Sequence, residues 1–515
     1  MRVSAYRVPM RRGLILALSG ALACSALVST PASAEPAQPE AQAVPKWAMA
    51  PQSKDTNGDG FIDGDGGVPR ARPLGLKPAK KFVGAGNRIA QPSERLIDGS
   101  QSWYLNPRGF KVRLDACKST GSQYRWRIYR GKRQVELTKW RPNESASCTS
   151  NVRLPEGDYR LKLEVRFDGT NVDYQWVDAT IKDYLFVVMG DSYASGEGNP
   201  RNVQAWLRGP DPDFRPYYDD SNCNRSARSA PAQAALALEQ SSDKTSVTLI
   251  DVSCSGATID SGVLGPQRWA NQGTSQVQQV KKLIGNRDID VLVFSVGGND
   301  IGFTSILNTC ALSIDCPLAS GTSPPLDRFA TVQQGVQTLT GRLPAGYQRI
   351  ADCLDGGTCD LVGGRQVAGL SLATDAQVLP MTYPDITRNA VGAPCRYLTL
   401  SPADFAWARD TILVPQASDP YRFTTFLGSS RNLSTAEGTL NGQILATSRF
   451  GWSPVVGIWG SSGDSKSGRG VCAGADAWVF GITAISGPFA SASFHPNPPG
   501  TAVMARQLAQ SLGVR

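Results

Sequence analysis

Apolar residues follow two different patterns along the chain, and the change between them falls near residue 183. Between residues 96 and 183, short runs alternate apolar with polar side chains, which is the period of half-buried strands. These runs lie at 110–114, 124–129, 159–167 and 174–177. Several short strands separated by turns are typical of a sandwich, so we predict a small all-β, Ig-like sandwich over residues 96–183.

Beyond residue 183 the apolar residues form one uninterrupted run and several mostly apolar ones, the pattern of strands that are buried on both faces. The runs lie at 184–189, 247–252, 290–296 and 377–381. Stretches with helical character are found at 231–239, 276–283, 330–339 and 501–512. This alternation predicts an α/β domain over residues 184–515, with a parallel sheet between two layers of helices.

Small polar residues follow three of these predicted strands. Ser192 lies in the sequence GDS after the first run, Gly256 in SCSGAT after the second, and Asn299 in GGND after the third. Ligands of open α/β sheets bind at the carboxyl ends of the strands. We therefore interpret Ser192 as a candidate nucleophile. The backbone amides of Ser192 and Gly256, with the side chain of Asn299, could hold the oxyanion of an acyl-transfer reaction.

A serine nucleophile needs a base within hydrogen-bond reach. The chain contains a single histidine, His495, in the sequence SFHPNPPG, so a histidine base can only be this residue. Simpler interpretations exist for both signals. The tripeptide GDS occurs again at 463–465, in a Gly- and Ser-rich loop with no apolar strand before it, and a single histidine is more often structural than catalytic.

Together the motifs resemble the SGNH, or GDSL, hydrolases, and in particular the secreted actinobacterial esterases and lipases. The four matching motifs occur in the same order: GDSYASGEG (190–198), CSGAT (254–258), GGNDIGF (297–303) and SFHPNPPG (493–500). The resemblance implies a flavodoxin-like, three-layer α/β/α domain. It also implies that Ser192 is the nucleophile, that His495 is the base, and that Ser192, Gly256 and Asn299 provide the oxyanion hole.

One position departs from that family, because many members carry an aspartate three residues before the histidine and this chain has Ala492 there. Either a backbone carbonyl or another carboxylate would orient the imidazole of His495, and the sequence leaves both open. The family likeness favours lipidic acyl esters as substrates, with no cofactor required. Phospholipids and acetylated sugars are alternatives for the same site, and a cell-surface binding protein with an inactive hydrolase domain is the non-enzyme alternative.

Residues 1–34 have the features of a signal peptide, since four arginines precede a largely apolar stretch and the segment ends in Pro-Ala-Ser-Ala. We therefore expect an extracellular protein, and no later stretch is long enough to predict a membrane span. Without those four arginines the 53 Lys and Arg residues become 49, against 44 acidic residues, a net charge of +5. So mild and scattered a charge does not indicate a nucleic-acid partner.

Ten cysteines follow the predicted signal peptide, and an even number suits disulfides in an exported protein. A zinc site is disfavoured, because the chain has one histidine and no CxxC pair. Sequence alone does not fix the connectivity. The candidate pairs are Cys117 with Cys148, Cys223 with Cys254, Cys310 with Cys316, Cys353 with Cys359, and Cys395 with Cys472.

Between the signal peptide and the sandwich, we predict a disordered leader over residues 35–95. It contains DTNGDGFIDGDG at 55–66, which resembles a calcium loop but has Gly66 where an EF-hand places a bidentate glutamate. The sequence is compatible both with a weak Ca²⁺ site and with a solvated linker. The candidate ligands are Asp55, Asn57, Asp59 and Asp63. For the sandwich we expect either contact with cell wall or carbohydrate, or a purely spacing role.

Overall fold

The computed structural model describes residues 40–52, 55, 58–62, 109–167, 172–209, 214–270, 272–413, 438–457, 468–483 and 490–514. The predicted signal peptide and the second GDS tripeptide lie outside the described residues. Among the residues described, no helix combines the length and the apolar character needed to cross a membrane.

Two antiparallel sheets form the N-terminal part of the described chain. The strands, in chain order, are β1 (Lys46–Met49), β2 (Phe110–Asp115), β3 (Gln123–Arg130), β4 (Arg133–Leu137), β5 (Arg141–Pro142), β6 (Thr149–Leu154), β7 (Gly157–Arg166) and β8 (Val172–Ile181). One sheet has the order β1-β2-β6, and the other has the order β4-β3-β7-β8 with β5 beside β3. Both sheets contribute to one core that includes Val112, Trp126 and Leu161. The four predicted strands are present, whereas an independent Ig-like domain and its contact with carbohydrate stay predictions.

Strand β1 lies within the segment that we expected to be disordered. It pairs with β2 along its whole length, and its alternate side chains Trp47 and Met49 are buried in the core between the sheets. The prediction of a disordered leader is therefore wrong for residues 46–49. A strand of four residues is too short for a periodic signal, and the hydrogen bonds of this strand come from a partner about 65 positions away in the chain.

A four-stranded parallel sheet forms the centre of the second part. Its strands are β9 (Asp183–Gly190), β10 (Ser246–Asp251), β11 (Ile289–Ser295) and β14 (Leu372–Pro380), and a separate hairpin consists of β12 (Thr358–Asp360) and β13 (Gln366–Ala368). The order β10-β9-β11-β14 is that of a flavodoxin-like sheet. Since the chain leaves β9 for one neighbour and later returns to the other, a crevice opens at the carboxyl end of β9.

Helices connect and flank these strands. They are α1 (Ser192–Ser195), α2 (Val203–Leu207), α3 (Ala230–Gln240), α4 (Gln276–Ile284), α5 (Phe303–Ala311), α6 (Val332–Thr340), α7 (Leu343–Asp352), α8 (Pro402–Ala408), α9 (Leu440–Leu445) and α10 (Pro498–Ser511). All four sequence-predicted helical stretches are present, as α3, α4, α6 and α10. The start of α10 follows from its sequence: Asn497 accepts a hydrogen bond from the amide of Gly500, and proline occupies the first turn.

The N-terminal sheets pack directly against the parallel sheet. Glu156, between β6 and β7, accepts a 2.8 Å hydrogen bond from the amide of Asp183 at the start of β9. Lys182 pairs with Asp290 at 2.5 Å. The amide of Met49 donates to the carbonyl of Asp243 at 2.8 Å. Hydrogen bonds and an ion pair therefore join the two parts.

Five disulfides are present, and each joins two cysteines that the sequence analysis paired. They are Cys117–Cys148, Cys223–Cys254, Cys310–Cys316, Cys353–Cys359 and Cys395–Cys472. The predicted pairings are confirmed, and the same bonds leave none of these ten thiols to bind zinc.

Candidate active site

Ser192 is the first residue of α1, immediately beyond the carboxyl end of the central strand β9. The turn depends on Gly190, whose φ is +105°. A Cβ there would lie 1.9 Å from the carbonyl oxygen of Ser295 in β11, so only glycine lets the two strand ends approach this closely. Asp191 caps the short helix by accepting the amide of Tyr193 at 3.0 Å. Local sequence therefore fixes Ser192 at the crevice.

His495 lies 303 positions further along the chain and reaches the same place. Its Nε2 atom is 2.8 Å from the Ser192 hydroxyl oxygen. The residue precedes α10, in a turn where Phe494 has a left-handed φ of +62°. The carbonyl of Phe494 accepts a 2.9 Å hydrogen bond from the hydroxyl of Tyr193, which neighbours the nucleophile. The fold thus brings together the two residues that the sequence singled out.

A backbone carbonyl, not an aspartate, orients the imidazole. Nδ1 of His495 lies 3.1 Å from the carbonyl oxygen of Ser493. Since a carbonyl oxygen can only accept, Nδ1 carries the proton and Nε2 is left free to accept the proton of Ser192. The methyl group of Ala492, at the usual aspartate position, is buried and carries no charge. The sequence left open whether a backbone carbonyl or a carboxylate orients the imidazole, and at Nδ1 the group is the Ser493 carbonyl.

The candidate oxyanion donors line the same cavity, which has a volume of about 790 Å³. Gly256 has a φ of +72°, and the indole of Trp269 occupies the space where a Cβ would project, 2.5 Å away. Asn299 donates one amide hydrogen to the carbonyl of Ala257 at 3.0 Å. This bond fixes the side-chain amide, which has a second hydrogen for an oxyanion beside Ser192.

Asp191 connects the nucleophile turn to two other strand ends. The hydroxyls of Ser295 and Tyr383 both donate to its carboxylate, and the Tyr383 hydroxyl in turn accepts the amide of Gly298 at 3.1 Å. Complete burial raises the pKa of Asp191 to about 6, although these hydrogen bonds act in the opposite direction. Although Asp191 is the central residue of GDS, its part in the site was missed by sequence reasoning.

Glu197 is a second carboxylate that sequence reasoning missed. It is 2% exposed, and its Oε2 atom lies 3.5 Å from Nε2 of His495. Ser255 donates to Oε2, and Asn224 donates to Oε1 at 2.8 Å. The sequence signal for Glu197 is that it is the one acidic residue after the serine in GDSYASGEG. A carboxylate therefore does face the imidazole, but from the Nε2 side.

No candidate metal centre is found in the described part of the chain, where no three His, Cys, Asp or Glu side chains form a group that could hold an ion. In the calcium-like loop, Asp55 accepts the amides of Asp59 and Gly60 at 3.0 Å and 2.8 Å. Asn57 and Asp63 lie outside the described residues. Calcium binding by this loop stays a prediction.

A serine hydroxyl beside an imidazole, with amide donors around the same cavity, has the parts needed to attack a carbonyl carbon and stabilise the resulting oxyanion. The geometry gives Ser192 both a base and oxyanion donors, whereas the second GDS copy lies outside the described residues. Acyl transfer is therefore the reaction class that this arrangement can perform.

Two curated lipases are similar to part of the chain. Lipase 1 of Streptomyces coelicolor is 30% identical over 171 residues, which are 32% of this chain and 47% of that lipase. A lipase of Streptomyces rimosus is 27% identical over 201 residues, which are 39% of this chain and 52% of that lipase. The chain spans about half the length of the curated relatives it matches. No model of a protein family matches it.

Solved structures show more distant similarity. The extracellular lipase from Streptomyces rimosus aligns with a TM-score of 0.38 at 19% identity, over 64% of this chain and 99% of that one. A family two carbohydrate esterase from Clostridium thermocellum, in complex with cellohexaose, aligns with a TM-score of 0.25 at 12% identity, over 79% of this chain and 94% of that one. At these TM-scores neither likeness bears on function.

Proposed function

We propose that this chain, which is related to the SGNH/GDSL esterases and lipases, is a secreted hydrolase of carboxylic acyl esters with lipidic substrates. The observation that carries the proposal is the 2.8 Å contact between the Ser192 hydroxyl and Nε2 of His495, at the wall of a cavity with many apolar lining residues. Secretion is supported by the predicted signal peptide and by five disulfides, which persist in oxidising compartments.

The reaction begins when Nε2 of His495 accepts the proton of Ser192 and the hydroxyl oxygen attacks the ester carbonyl carbon. The carbonyl oxygen becomes negative and is held by the amides of Ser192 and Gly256 and by the side chain of Asn299. His495 then gives its proton to the departing alkoxide, which leaves an acyl-enzyme. Water repeats the same steps, releases the carboxylic acid and restores Ser192.

During both steps His495 becomes positively charged, and the Ser493 carbonyl offers it only a dipole. The buried carboxylate of Glu197, 3.5 Å from Nε2, supplies a full negative charge beside the imidazolium. Charge interactions of this kind are strong in a buried site, where water does not screen them. Asp191 also interacts electrostatically with His495, and Tyr193 and Tyr218 with Glu197; burial raises the pKa of all three.

Glu197→Gln should therefore lower kcat roughly tenfold, because the loss of a charge-assisted contact weakens stabilisation of the imidazolium. KM should change little, because the imidazolium exists only after the reaction has begun. The measurement is kcat and KM with a soluble ester. Glu239→Gln, a buried glutamate on α3 that accepts the amide of Val247, is the matched control and should keep the wild-type kcat. A wild-type kcat in Glu197→Gln would contradict the role.

Apolar side chains form much of the cavity wall and support an acyl chain as the bound group. A smaller cavity of about 40 Å³ adjoins the first and extends this apolar surface. The residues that line both are Phe303, Leu307, Ile386, Leu400 and Leu413. Burial of each methylene of an acyl chain against such a wall contributes about 0.8 kcal/mol.

The test is release of p-nitrophenol from acetyl, octanoyl and palmitoyl esters by the purified protein. We expect kcat/KM for octanoate to exceed that for acetate by about tenfold or more, since six further methylenes enter the apolar wall. A preference for acetate would favour acetylated sugars instead. No hydrolysis of any of the three would contradict the esterase and favour the cell-surface binding protein.

A further inference from the structure

We propose that a ring of exposed apolar side chains around the cavity mouth docks the protein onto the surface of a lipid aggregate. The inference rests on the proposed function, since the aggregate would contain the ester substrate. These side chains, here called the apolar rim, are large, apolar and exposed. They are Ile314 (100% exposed), Leu312 (81%), Leu398 (68%), Leu318 (66%), Trp269 (64%) and Ile482 (38%).

The apolar rim reaches the catalytic cavity at three of its side chains. Trp269, Leu398 and Ile482 line the cavity itself, and so does Ala311, the last residue of α5. Leu312 follows Ala311 directly. Scattered single apolar residues on a surface are ordinary, but a contiguous group at a cavity mouth marks an interaction site.

Local structure keeps Leu312 and Ile314 on the surface. The Cys310–Cys316 disulfide closes a short loop that carries Leu312 and Ile314, and the loop is tied back to α5 by a 2.7 Å hydrogen bond from Ser313 to the carbonyl of Thr309. Such a loop is constrained from folding its apolar residues inward.

The segment that carries Leu398 is hydrogen-bonded to the C-terminal end of α5. Thr399 donates to the carbonyl of Ala311 at 2.7 Å, which places Leu398 beside the disulfide loop. Leu398 has a φ of +54°, a backbone conformation that is rare and unfavourable for a leucine. Strained residues of this kind are retained where the surrounding structure enforces them, often at binding sites.

A lipid surface fits this rim better than a protein does. The loop from residue 310 to 318 contains one charged side chain, Asp315, so its contact is apolar and not electrostatic. A protein partner or a second copy seated on the rim would cover the cavity mouth and block the substrate. A lipid aggregate instead supplies the substrate, because an acyl chain can pass from it into the cavity without crossing water.

The experiment compares soluble and aggregated substrate. The double variant Leu312→Gln/Ile314→Gln changes two rim residues that do not line the cavity. It should hydrolyse p-nitrophenyl butyrate, dissolved as monomers, within about twofold of the wild-type rate. With a long-chain ester dispersed in phosphatidylcholine vesicles, its rate should fall by about tenfold or more, because the apolar area available for insertion is reduced.

Val135→Gln/Leu137→Gln is the matched control, since both residues are exposed apolar side chains on β4, in the N-terminal sheets. This control should leave both rates unchanged. A rim variant that keeps the wild-type rate on vesicles would overturn the proposal. So would a rim-dependent dimer seen by analytical ultracentrifugation without lipid, because the occupant would then be a second copy.

Vesicle co-sedimentation of the Ser192→Ala protein separates this proposal from the proposed function. Binding that is present in Ser192→Ala and lost on adding the two rim substitutions supports the docking surface even if no ester is hydrolysed. Ester hydrolysis by wild type together with no vesicle binding by Ser192→Ala would support the proposed function and overturn the docking surface.

Discussion

Ser192→Ala should reduce kcat for ester hydrolysis by on the order of 10⁴-fold or more, because no other group can form the acyl-enzyme. His495→Ala should cause a loss of similar size, since the hydroxyl then has no base. The double variant should be hardly worse than either single one, because the two residues act as a unit. The measurement is kcat with p-nitrophenyl octanoate for all three proteins.

The second GDS copy offers a control within the same chain. Ser465→Ala removes a serine in the same tripeptide and should leave kcat unchanged. A fluorophosphonate, which labels activated serines, should add one group to wild type and to Ser465→Ala, and none to Ser192→Ala. Retained hydrolysis or labelling in Ser192→Ala would remove this serine as the nucleophile.

Asn299→Ala should lower kcat by roughly 10²- to 10³-fold with little change in KM, because its side chain acts on the oxyanion that exists only in the transition state. Asn299→Asp should be at least as damaging, since it replaces a donor with a negative charge near the developing oxyanion. Both variants also lose the 3.0 Å hydrogen bond to Ala257. Thermal unfolding must therefore be measured alongside the kinetics.

Asn308→Ala is the comparison for that experiment, because Asn308 lines the same cavity from α5 and has no assigned part in the reaction. It should keep kcat within about threefold. If Asn299→Ala kept a wild-type kcat, the oxyanion would have to be held by other donors. If its kcat fell only in proportion to the unfolded fraction, the residue would be structural.

The parallel sheet and the four principal site residues were predictable because their signals are local. A wholly or mostly apolar run marks each buried strand, and Ser192, Gly256 and Asn299 lie within a few residues after three of these runs. The carboxyl ends of parallel strands meet at one edge of a sheet, so position in sequence implied proximity in space. A single histidine removed any choice of base.

Some strands carried weaker local signals. In β4 every residue is exposed, so the strand has no apolar face to produce a period. In β1 only four residues pair, and their partner lies in β2. Edge and short strands depend on hydrogen bonds from distant segments, which no local pattern encodes.

By itself the sequence determined where the buried strands lie, which serine follows the first of them and which histidine could act as its base. Only the tertiary structure decided how that histidine is held, with the Ser493 carbonyl at Nδ1 and Glu197 beside Nε2. The tertiary structure alone also brings the side chains of the apolar rim together from separate loops. The reason is physical: burial and periodicity are properties of neighbouring residues, whereas contacts between distant loops depend on the path of the whole chain.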